Sequence, residues 1–246
     1  MSAFCERTGL LGRYGPWVAE PGSSVRGYDQ WLAFSALAYV VAHHLGLLPG
    51  GLGAAPDGTQ WADWVALAVP VVVLVPAAMV LREAGSAPKQ WVLFGVGCVI
   101  YAWGQGMHLS ANSVNNNSPG QTAHLWDEVV GHLVWYTGAA LVLAAVARTM
   151  AGRQRPGVIG YALAVLVGLT WATNAVGGGT EWLSLVMALW AVGFGWVHRD
   201  ELGVTLLVGF LPSMALILVA LLIGRVAHSL RRGWRSPIGG RGRARA

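Results

Sequence analysis

The chain has 246 residues, of which 55% are hydrophobic and only 11% charged, with a mean hydropathy of +0.53. A soluble domain of this length carries roughly 25% charged residues, so the composition excludes one and points to a single all-α, polytopic membrane domain. The formal net charge of +5 comes largely from an Arg-rich tail, and no nucleic-acid partner is expected.

Residues 1–29 read as a polar, interfacial N-terminal segment. Glu6, Arg7, Arg13, Glu20 and Arg26 interrupt any apolar signal core, so the first span is expected to act as its own insertion signal. A crossing needs about 20 apolar residues, and seven such stretches follow, at 30–49, 62–81, 90–111, 124–147, 157–176, 181–198 and 203–228. They predict a seven-transmembrane-helix bundle over 30–228. Residues 229–246 read as a disordered Arg/Gly-rich tail against anionic headgroups.

Prolines punctuate this pattern without ending it: Pro70 and Pro76 are expected to kink the second span and Pro212 the seventh, while Pro156 opens the fifth. Most of the thirteen tryptophans, Trp61, Trp64, Trp91, Trp126, Trp182 and Trp196 among them, sit near predicted span ends as an interfacial belt. The third-span stretch GVGCVIYAWGQG carries small residues spaced for close helix contact. The Asn run at 115–117 with Pro119 and Gly120 predicts a loop, and the glycines 177–179 a turn rather than a phosphate loop. Cys5 and Cys98 give neither a disulfide framework nor a Cys-type zinc motif.

Orientation follows from Lys and Arg in short loops. Arg82, Lys89, Arg148, Arg153, Arg155 and Arg199 occupy the loops after the second, fourth and sixth spans, which places those loops and the N terminus in the cytoplasm of a bacterium. The basic tail opposes that assignment. The polar residues then sort to the other end: His43 and His44 late in the first span, His108 ending the third, His124 to His132 beginning the fourth, Asn174 ending the fifth, Glu181 beginning the sixth and His228 ending the seventh. Only His198 sits at the basic end. Asp200 and Glu201, also there, read as favourable charges before a helix start.

The segment GQGMHLSANSVNNNSPGQTAHLWDEVVGHLVW, residues 104–135, concentrates this chemistry. Ionisable groups in a span are costly and mark function, and His with carboxylate is a ligand set for Zn or Fe. As an α-helix, the fourth span puts His124, Glu128 and His132 on one stripe with Asp127 beside it, while His108 shares a face of the third with Asn112. The candidate metal ligands are His108, His124, His132 and Glu128, joined by His44 and His228; Asp127 and Glu128 are the candidate general bases for a metal-bound water. His43 and His44 point in different directions, so one of the two is expected at a shared site. Zinc is the expected metal, with iron or a two-metal centre as the alternative.

GMHLS followed by HLWDEVVGH resembles the alkaline ceramidase / progestin-and-adipoQ-receptor superfamily of seven-span metal-dependent hydrolases, over about 30 residues. The resemblance implies that His108 is the first zinc ligand and Asp127 the family aspartate. Gly104 stands where the family usually has Ser, and His228 stands alone where the last helix of the family carries H-x-x-x-H. The expected function is therefore a zinc amidase or lipid hydrolase acting on a lipid or other apolar substrate. The alternatives are an iron or two-metal lipid oxygenase or desaturase, and a receptor or transporter using the same histidines. The desaturase His boxes are missing, no broken-helix repeat supports a transporter, and the seventh span has no Lys for a retinal Schiff base.

Overall fold

The computed structural model describes residues 24–44, 52–57 and 59–233, the side chains of 24–26 and 225–233 excepted. The predicted N-terminal segment and tail therefore lie largely outside the described residues. The elements run α1 (Ser24–Ala42), α2 (Trp61–Ala66), α3 (Val69–Glu83), α4 (Pro88–Asn117), α5 (Gln121–His124), a π-helical segment (Leu125–Gly131), α6 (His132–Ala147), α7 (Val158–Gly177), α8 (Glu181–Val197) and α9 (Val204–Gly233).

Among the described residues, five stretches are long and apolar enough to cross a membrane: Trp61–Glu83, Pro88–Asn117, Gln121–Ala147, Val158–Gly177 and Val204–Gly224. α8, with 17 residues, is a shorter apolar helix. Large apolar side chains line the outside, with Val92 67% and Val186 66% exposed. Water would penalise such a surface, whereas lipid tails do not. The chain is a multi-pass integral membrane protein.

Pro70 marks the joint between α2 and α3 within the single stretch Trp61–Glu83. Its missing N–H ends α2, and it restarts the chain in the first turn of α3, where that N–H is not needed. Pro76 stays inside α3. The predicted loop at 115–117 is helix: α4 continues through Asn117, with Asn117 bonding the Ser113 carbonyl at 2.9 Å and Asp63 of α2 accepting from Asn112 and Ser113 at 3.1 Å each. The turn is confined to 118–120. Gly179, at φ +61°, makes the tight turn between α7 and α8.

The bundle is held by α4 against α6, α7 and α8 against α9, and α1 against α3 and α7. At the basic end, Glu201 accepts from His198 Nδ1 and the Gly152 N–H at 2.7 Å each, and Asp200 pairs with Arg155 at 2.7 Å. These acids clamp the α6–α7 loop to the α8–α9 loop, a role their place before a helix start did not reveal. The Gly152 N–H, followed by His198, holds the Glu201 carboxyl below its ordinary value.

α4 and α6 cross at Gly104. A Cβ there would overlap the backbone N and Cα of Trp135, so the two helices meet backbone to backbone. This contact is the close approach that the small residues of the third span announce, and it brings the functional segment together.

Candidate active site

α4 presents Tyr101, Gln105 and His108 at helical spacing, all on the face turned to α6. α4 runs nine residues past His108, turns, and returns through α5 and the π-helical segment, which levels Asp127 with His108. Gly131 permits the approach, since a Cβ there would lie 3.0 Å from both N and Cα of His108. His108 Nδ1 then stands 2.7 Å from Asp127 Oδ1.

The π-helical segment changes the expected stripe. Its wider turn carries an extra residue relative to an α-helix, a device frequent at functional sites. Asp127 points inward, 1% exposed, whereas His124 is on the surface and Glu128 is 40% exposed in its side chain. The three residues 124, 128 and 132 therefore do not share one buried stripe. His132 faces inward, its Nδ1 bonded to the Glu128 carbonyl at 3.1 Å and 3.6 Å from the Glu128 carboxylate.

His108 and His132 meet with ring centroids 4.4 Å apart. Trp135, one turn beyond His132, stacks against His43, His108 and His132 at 5.1, 5.5 and 6.0 Å. From α1, His43 faces this cluster, and His44 does not: His44 Nδ1 bonds its own helix at Val40 O, 2.6 Å away. His43 Nδ1 donates to Tyr39 O at 2.9 Å, so its Nε2 accepts the Tyr101 hydroxyl proton at 3.1 Å. His228 has its side chain outside the described residues. Glu181 is half-buried in the first turn of α8.

The same logic assigns the reacting nitrogens. A carbonyl only accepts, so His132 carries its proton on Nδ1 and presents Nε2 as a lone pair. An ionised Asp127 imposes the same tautomer on His108. Their contact is close yet off the hydrogen-bond direction, and both Asp127 oxygens lack a hydrogen-bond partner. Around them lie further buried polar atoms: Gln105 Oε1, which has no hydrogen-bond partner, the Trp135 indole N–H beside the Tyr101 hydroxyl, and the Asn174 amide beside the Tyr39 hydroxyl. Asn174 belongs to the turn before Gly178, which lies against the His132 ring. Buried polar groups are normally paired, so the open oxygens of Asp127 and Gln105 leave room for a polar partner.

Among the described residues, no three His, Cys, Asp or Glu side chains form a group that could hold a metal ion. Two imidazoles with Nδ1 held and Nε2 open have the outer-shell pattern of metal ligands, but a third donor does not join them. Trp135 and Tyr101 are the members that the sequence pattern did not single out, and of the pair His43 and His44 it is His43 that joins them. The signal was present in the i, i+3 spacing of His132 and Trp135 and the i, i+7 spacing of Tyr101 and His108. No family model matches the chain, and neither a characterised protein nor a solved structure matches it.

Proposed function

We propose that the protein is a seven-span membrane enzyme that hydrolyses an acyl ester or amide of an apolar, lipid-like substrate, with His108 as general base and Asp127 as its partner. The observation that carries this reading is the buried His108–Asp127 contact at 2.7 Å beside a second open imidazole. Asp127 stabilises the imidazolium that forms when His108 Nε2 takes a proton from the attacking water, the role of the acid in a nucleophilic triad. Trp135 Nε1 and Asn174 Nδ2, which lie beside the Tyr101 and Tyr39 hydroxyls, would turn to the developing oxyanion. His132 supplies the second Nε2. The stacked aromatics exclude bulk water, which strengthens each of these interactions.

α1 and α8 complete the seven spans beside the five long apolar helices, with the arginine-rich loops in the cytoplasm of a bacterial plasma membrane. The site then faces the opposite leaflet, where a lipid enters sideways between helices.

A second reading keeps the same residues and adds a divalent ion, zinc or alternatively iron, on His108 and His132; their Nδ1 contacts, to Asp127 and to the Glu128 carbonyl, favour it. Such an ion supplies Lewis-acid activation of water. Purified protein in nanodiscs is assayed with fluorogenic palmitoyl ester and palmitoyl amide probes, alongside metal analysis. Turnover that His108→Ala lowers at least about 100-fold supports hydrolysis; no turnover above empty nanodiscs sinks it. One metal per chain, lost in both His108→Ala and His132→Ala, selects the second reading.

A further inference from the structure

The end of the bundle away from the histidines holds a second, separate constellation. A cavity of about 640 Å³ runs from the arginine-bearing α6–α7 loop into the bundle, walled by Leu32, Val146, Leu163 and Val167 and closed by Tyr101 and Trp171. Its volume is that of a small-molecule site. Beside it lies a polar cavity of about 400 Å³, bounded by Ser86, Gln90, Arg148 and Arg153. Gly152 and Arg153 line both, so a long apolar chamber and a short basic one share a wall.

The basic chamber has open valences. Ser86 Oγ is buried without a hydrogen-bond partner. Arg153 spends Nε on Thr149 O at 2.9 Å and lies 3.6 Å above the Tyr28 ring, leaving its terminal N–H groups without a partner among the described residues. Arg148 is exposed and has no acidic partner among the described residues. Of the other charges at this end, Arg155 is paired with Asp200 and Glu201 with His198, Asp29 lines the apolar cavity, and the Glu83 carboxylate lies against Gly27 of α1.

We infer that this end binds an anionic glycerophospholipid, one acyl chain in the apolar cavity and the phosphate between Arg148 and Arg153 with Ser86 Oγ donating to it. An arginine is suited to phosphate by its planar set of donors, and basic residues at a membrane surface favour anionic headgroups. The apolar walls select the chain. The site lies outside the proposed reacting centre and does not rest on it; the two meet where Tyr39 and Tyr101, which line the cavity, bond His43.

The test is native mass spectrometry of the purified full chain in detergent with equimolar dioleoyl phosphatidylglycerol and dioleoyl phosphatidylcholine. The wild type is expected to retain the anionic lipid about tenfold better, and Arg148→Ala with Ser86→Val to bring the ratio near one. Ala36→Phe, which fills the cavity from α1, removes retention of both. Dihexanoyl phosphatidylglycerol, with the same headgroup and short chains, is retained poorly by the wild type, a comparison independent of any variant. Equal retention of the two dioleoyl lipids by the wild type overturns the headgroup assignment. Equal retention of long and short chains overturns the cavity assignment.

Discussion

Asp127→Asn lowers hydrolytic turnover of the palmitoyl probe by about 10² to 10⁴-fold while leaving thermal stability unchanged or higher. Both halves follow from one geometry. The carboxylate is 1% exposed and neither oxygen accepts a hydrogen bond, so the fold gains little from its charge. A buried charge without full hydrogen bonding is costly, and its removal relieves that cost. Catalysis depends on the charge, because the amide neither stabilises the His108 imidazolium nor enforces the Nδ1–H tautomer. Activity and unfolding temperature, measured on the same preparation in detergent, separate the two effects. A variant that is much less stable and loses activity in proportion would make Asp127 a packing residue.

Gly104→Ser lowers the stability of the bundle and dismantles the site. Its Cβ would enter the space of the Trp135 backbone N and Cα, and backbone has no rotamer to move. Overpacking of this kind costs about 1–3 kcal/mol when side chains yield; here α4 and α6 must separate, so the loss is at the upper end or beyond. Separation also draws His108 from His132 and unstacks Trp135. The expected result is a lower unfolding temperature together with loss of the site. Wild-type stability in this variant, read by thermal unfolding in detergent, would contradict the backbone contact.

Much of this was written in the residue pattern. Apolar runs located the long helices, since the span length is fixed by the thickness of the bilayer. The glycines of the third span announced the close crossing, and His108 with Asp127 stood out because charge within a span needs a reason. Where the sequence misled, local rules had been overridden by tertiary contact. Asn112 and Ser113 are helical because Asp63, about fifty residues earlier, accepts their hydrogen bonds. The α-helical stripe from His124 to His132 was broken by the π-helical segment, which turns Asp127 inward and leaves His124 outside. Periodicity assumed 3.6 residues per turn and had no means to register that change. The choice between His43 and His44 needed the rotation of α1, which depends on its packing against α3 and α7 rather than on its own residues.

The central claim is that His108 and His132 offer unprotonated Nε2 atoms into one buried site, with His108 oriented by Asp127. Histidine side-chain nitrogen NMR of the full chain in detergent micelles at pH 8 measures this directly. Nδ1–H, Nε2-unprotonated signals are expected for both residues, with a change at His108 on Asp127→Asn. An Nε2–H tautomer at His108, or His108 signals indifferent to Asp127→Asn, would contradict it.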